Sequence, residues 1–202
     1  MSGILDLRVI VGISGASGAI LGLRLLEKLR RRPEVEIHLI LTRSGEKTLH
    51  LETGQLAADL KALAHHWHPI ENIGSPLASG SYLTDAMVIV PCSIHTMSAI
   101  ATGLTDNLLT RAADVVLKER RKLILVVRET PLHLGHLRVL TALAELGAVV
   151  LPPVPAFYNR PKDVDDIVNH TIARVLDRLS LPQTLVGEWQ GTSPRGSRPA
   201  GA

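Results

Sequence analysis

Three short runs of this 202-residue chain, Ala86 to Val90, Lys122 to Val127 and Ala148 to Leu151, are apolar with almost no alternation. A strand with one wet face alternates polar and apolar residues, whereas a strand without alternation is buried on both faces. That is the condition of a parallel sheet covered by helices on each side. Pro91 closes the first run and Pro152-Pro153 stops the third. Val9 to Ile13 and Val35 to Thr42 add two earlier strands.

Helical patterns fill the intervals. Ile20 to Arg31 carries Leu21, Leu25 and Leu29 at i, i+4 spacing with charges opposite, the signature of an amphipathic helix. Glu46 to Glu52, Leu56 to His65, Asn107 to Arg120, Leu134 to Leu146 and Val164 to Leu179 read the same way. The alternation predicts one α/β domain over residues 1–191, a three-layer Rossmann-like sandwich with a mainly parallel sheet. Thr192 to Ala202, rich in Ser, Pro, Gly and Arg, reads as a disordered tail.

Composition narrows the function classes. The chain holds two Trp, two Tyr and one Phe, so aliphatic residues must build the core. Its net charge of +3 suits an anionic small molecule. Arg30-Arg31-Arg32 and the run from Lys118 to Lys122 lack interleaved aromatics and read as solvated helix ends, which argues against nucleic acid. The single cysteine, Cys92, excludes an intrachain disulfide and fits a reducing compartment. With no run of membrane-span length and no signal-peptide core, the chain reads as cytoplasmic.

Ligands of such sheets bind outside the carboxyl ends of the strands. The first strand opens into Gly12-Ile13-Ser14-Gly15-Ala16-Ser17-Gly18-Ala19, where glycines let backbone N–H groups approach an anion and two serines add hydroxyl donors. The spacing is neither a P-loop nor the dinucleotide fingerprint. Later strands end in Thr42-Arg43-Ser44, Pro91-Cys92-Ser93-Ile94-His95-Thr96, Arg128-Glu129-Thr130-Pro131 and Pro155-Ala156-Phe157-Tyr158. Hydroxyls and an arginine on one edge, without a metal-ligand cluster, suit a phosphate-bearing ligand.

These loops, together with Arg111 to Arg121, resemble the UbiX-type flavin prenyltransferases, and the similarity runs from about Leu7 to Gln190. The resemblance implies a flavoprotein-type fold, reduced FMN as prenyl acceptor, dimethylallyl phosphate as donor and no metal. The product would be prenylated FMN, carried to UbiD-type decarboxylases. Carried over by position, Gly15, Ala16, Ser17, Thr42, Ser93, Ile94, His95, Thr96 and Arg128 would hold FMN. Tyr158, Arg174, Lys118 and Arg111 would hold the prenyl phosphate, and Glu129, Glu52 and Lys118 would serve catalysis. Ile73 stands where some members place a tryptophan. Flavin-dependent peptidyl-cysteine decarboxylases share the fold but carry Pro-Ala-Ser-Ala-Asn-Thr in place of Pro91 to Thr96. A non-catalytic FMN-binding subunit is the other alternative.

Plainer readings stand beside several of these residues. Lys118 and Arg111, seven apart on one helix, also fit a solvated face. Arg174 has Asp165, Asp166 and Asp177 as potential salt-bridge partners, and Glu52 also fits a helix end. His65-His66-Trp67-His68 invites a metal, but adjacent histidines diverge and no cysteine or carboxylate set accompanies them in sequence. His133 and His136 fit a helix start, and Cys92 a small buried thiol. Met97 to Leu109 has few charges, which predicts burial against another subunit. The resemblance implies a homo-oligomer, a dodecamer, with sites completed at its interfaces.

Overall fold

A computed structural model of the chain describes residues 7–187, so the expected tail lies outside the described residues. Six strands, β1 (Leu7–Ile13), β2 (Val35–Leu41), β3 (His66–His68), β4 (Ala86–Cys92), β5 (Lys122–Val127) and β6 (Val149–Val150), form one sheet in the order β3-β2-β1-β4-β5-β6. Every pairing is parallel. Helices α1 (Ala19–Arg30), α2 (Arg43–Thr53), α3 (Ala57–Leu63), α4 (Ile94–Ala101), α5 (Leu108–Lys118), α6 (Leu134–Glu145) and α7 (Val164–Arg178) complete the layers. This is the Rossmann-like sandwich expected from the apolar runs.

The missing alternation has its cause in two cores. Val9, Val11 and Ile13 of β1 pack against Leu25, Leu26 and Leu29 of α1 and Ile172, Val175 and Leu176 of α7. Ile10, from the other face, joins Ile89 of β4 and Leu109, Ala112 and Val116 of α5. Burial of each such large side chain stabilises the fold by about 1.5–3 kcal/mol, so both faces must stay apolar. The leucine stripe of α1 is buried as its spacing predicts.

Two elements escape the periodicity. β3 is three residues long and pairs His66 with His38 and His68 with Ile40. Ser93 caps α4, accepting a bond from Thr96 N–H at 3.3 Å. This helix begins inside the segment read as a loop. Within Met97 to Leu109, the ends Met97, Ile100, Leu108 and Leu109 are buried within their own chain, while Thr102, Gly103 and Leu104 between them are exposed. Own-chain packing explains the scarcity of charge at the two ends, and exposed Leu104 stays available to a second subunit. Among the described residues, no helix is long and apolar enough to cross a membrane.

Candidate active site

The strand order reverses between β1 and β4, and a crevice forms at the carboxyl ends of strands flanking such a switch point. Ser14 holds this crevice in shape. Its hydroxyl donates to Pro91 O at 2.9 Å and accepts from Ser93 N–H at 2.8 Å, and its own N–H reaches Pro91 O at 3.2 Å. Ser14 is buried, and its hydroxyl joins the two loops at the edge of the cleft it lines. Ser17, the second serine, spends its side chain on Glu52.

Beside Ser14 and Gly15 opens a cleft of about 590 Å³, within the size range of small-molecule sites. Its lining includes Thr42, Ser93 and Asn107, the N-caps of α2, α4 and α5. Thr42 accepts from Gly45 N–H at 2.9 Å, and Asn107 from Thr110 N–H at 3.1 Å. Each helix start carries a partial charge of roughly +0.5, so three converging starts favour an anion with no lysine present. Ile70 and Ile73 add an apolar wall, aliphatic where a tryptophan was expected in some relatives. Arg43 and Glu71 bridge at the exposed mouth, 2.7 Å apart. Asn107 was missed as a site residue. An Asn directly before an apolar helical run is nevertheless a readable cap signal.

The other flank of the glycine loop is anionic and cationic by turns. Glu52 Oε2 accepts from Gly18 N–H at 2.9 Å and Ala19 N–H at 2.8 Å, closing the start of α1. Burial pulls its carboxyl up, but bonds from Ser17, Ala19 and Gly18 and the charge of Arg128 outweigh this and hold it below the usual range. Gly18, with φ of 103°, takes the left-handed turn that presents these N–H groups. Arg128 follows β5, its N–H bound to Cys92 O at 3.2 Å. Next to it, Glu129 is exposed and accepts from Thr130 N–H at 2.9 Å.

A model of the Flavoprotein family matches residues 4–176. Flavin prenyltransferase UbiX of Escherichia coli (strain K12) is 56% identical over 186 residues, spanning 91% of this chain and 98% of that protein. The chain belongs to the UbiX-type flavin prenyltransferase family. Solved structures agree. The dodecameric FMN-dependent UbiX-like decarboxylase from Escherichia coli O157:H7 superposes with a TM-score of 0.90 at 48% identity, covering 92% of this chain and 100% of that one. AnUbiX (PadA1), in complex with FMN and dimethylallyl pyrophosphate, gives 0.89 at 41% identity, covering 93% and 100%.

The residues expected of a flavin prenyltransferase fall into separate groups. Gly15, Thr42, Ser93, His95 and Thr96 line the cleft together, while Ala16 is buried and Ile94 packs on the α4 and α5 core. Glu52 and Arg128 are neighbours across the glycine loop. Tyr158 and Arg174 share a different cavity of about 800 Å³ along α7, where Arg174 pairs with Asp177 at 2.8 Å. Arg111 is held by Ala78 O at 3.2 Å and Asp114 at 2.8 Å. Lys118, at the far end of α5 from Asn107, lies about 16 Å along the helix and pairs with Glu119 at 2.5 Å. The histidine reading at α6 holds: His133 caps the helix, accepting from His136 N–H at 3.3 Å. Cys92 is fully buried, and burial pushes its thiol up, so it is no nucleophile.

Proposed function

We propose that this chain is a flavin prenyltransferase, moving the dimethylallyl group of dimethylallyl phosphate to N5 and C6 of reduced FMN. The observation that carries this reading is the cleft itself: three helix starts and their hydroxyl and amide caps converge beside the switch point. That donor set fits a flavin with its phosphate tail, and Gly15, Thr42 and Ser93 to Thr96 would hold it. Reduced FMN, when bound, supplies the nucleophile.

The chain's own residues must then stabilise a departing phosphate. Phosphate leaves poorly unless its growing charge is met by fixed donors. Arg128 stands at the end of β5 for this task, with Tyr158, Arg174, Lys118 and Arg111 as further phosphate ligands. Closure at C6 releases a proton, which a carboxylate must accept. Glu129 suits this better than Glu52, because Glu52 is committed to the start of α1 and held ionised as a weaker base.

Lys118, at the far end of α5, and Tyr158 and Arg174, in a cavity apart from the cleft, would serve a site of this kind from a neighbouring copy. Exposed Leu134 and Leu137 on α6 and Leu146 at its C-cap, with exposed Val154 and Phe157 nearby in sequence, offer apolar surface for such an assembly. The dodecameric relative supports a dodecamer here. A cytoplasmic location and delivery of prenylated FMN to a UbiD-type decarboxylase complete the reading.

Anaerobic incubation with FMN, a reductant and dimethylallyl phosphate tests it. Mass spectrometry is expected to find the flavin heavier by one dimethylallyl group. Unmodified flavin overturns the proposal, and carbon dioxide release from a peptidyl-cysteine substrate would put the decarboxylase reading in its place.

A further inference from the structure

On the opposite side of β2 from α1, the sheet carries a polar cluster that the prenyl chemistry does not use. Glu36 and His38, both buried, alternate onto one face of β2, and His66 and His68 alternate onto the same face of β3. His65 turns the other way, to Ile37 N–H at 3.0 Å and Arg30 at 2.8 Å. Adjacent histidines do diverge, as expected. The carboxylate missing from the local sequence arrives from the next strand.

The distances resemble a ligand set. His66 Nε2 lies 2.8 Å from Glu36 Oε1, and His38 Nε2 lies 3.5 Å from the same oxygen. One ligand atom from each of the three residues falls within 4.8 Å of the others. Tetrahedral ligands at zinc distances are about 3.4 Å apart, so small side-chain shifts suffice. The rings of His38 and His66 stack at 4.7 Å with 23° between planes, which lets both point the same way.

The surroundings orient these atoms as second partners orient metal ligands. His38 Nδ1 meets His68 Nε2 at 3.0 Å, and His68 Nδ1 meets Ser75 Oγ at 2.9 Å. With each Nδ1 donating along this chain, His38 Nε2 keeps its lone pair. Arg8 Nε donates to Glu36 Oε2 at 2.6 Å, leaving Oε1 toward the histidines. Tyr82 OH stands 3.4 Å from His38 Nε2.

We propose that Glu36, His38 and His66 form a binding site for a borderline divalent transition metal, zinc foremost, with water at the fourth position. Two imidazoles and one carboxylate are a zinc-type donor set rather than a magnesium or calcium one. The charge of Arg8 opposes the cation, so the site is weaker than a four-ligand structural centre. The residues lie outside the cleft lining, and the cation takes no part in prenyl transfer. It pins the three-residue edge strand β3 to β2.

The test is titration of the chelator-treated protein with zinc chloride by calorimetry and with cobalt(II) by visible absorption. One site per chain, tetrahedral cobalt bands and a raised melting temperature are expected. His66→Ala, at a half-exposed side chain, should weaken binding at least about tenfold. His66→Asn, which keeps a donor for Glu36, should show the same loss and covers any disturbance by alanine. His50→Ala, at an exposed position of α2, should bind as the parent does. No binding, or binding indifferent to both His66 substitutions, overturns the site.

Discussion

A Cβ on Gly15 would overlap the Ser44 Cβ and come within 3.3 Å of the Ser44 carbonyl carbon. The glycine is therefore demanded by the approach of α2 to the first loop, before any ligand is considered. Gly15→Val should lower stability by about 1–3 kcal/mol through overpacking, and flavin retention should fall with it. Adding Ser44→Gly to Gly15→Ala should recover much of the lost melting temperature. Flavin loss without any change in melting would return the glycine's role to ligand contact alone.

Ser14→Ala removes the acceptor of Ser93 N–H and the hydroxyl donor to Pro91 O from a buried site. Leaving a buried polar group unpaired costs about 1–3 kcal/mol. Urea unfolding should show that loss, together with weaker flavin binding as the two loops part. An unshifted midpoint would mean that Ser14 does not hold the crevice.

Glu129→Gln keeps the size of the side chain and an acceptor for Thr130 N–H, but not a carboxylate that takes a proton. Flavin should still bind while product formation falls by about 10²–10⁴-fold. A variant as fast as the parent moves the proton role to Glu52.

Glu52 ties acid sensitivity to the start of α1. Its folded-state value lies below the ordinary 4.5, so its stabilisation is present above that value and fades as pH falls through the folded value. The stability gap between the parent and Glu52→Gln should be open at pH 7 and close below about pH 4.5. Denaturant melts at both pH values check this, and a gap that widens in acid would contradict it. The carboxylate is partly exposed, so the gap is small.

Lys118→Ala and Glu129→Gln should each be inactive alone if Lys118 serves a neighbour's site. Mixed oligomers of the two should regain part of the activity, because some sites would then hold both intact residues. Mixtures as inactive as the separate variants would place Lys118 outside the site.

The layers of this fold were legible because their signals are local. Unbroken apolar runs mark strands buried on both faces, and the Leu21, Leu25, Leu29 spacing marks a buried helix stripe, whatever lies elsewhere in the chain. The loops carrying Gly15, Thr42 and Ser93 were legible too, since strand ends and caps are written in a few consecutive residues. What lay beyond reach was which distant residues meet. Ser14 and Pro91 are 77 positions apart, and β3 is too short to show a period. The strand order turns three separate N-caps into one cleft, and strand register sets Glu36 beside His66. Side-chain period is set by local backbone geometry, so sequence displays it. Juxtaposition depends on closing long loops around a shared core, and only the tertiary structure decides that.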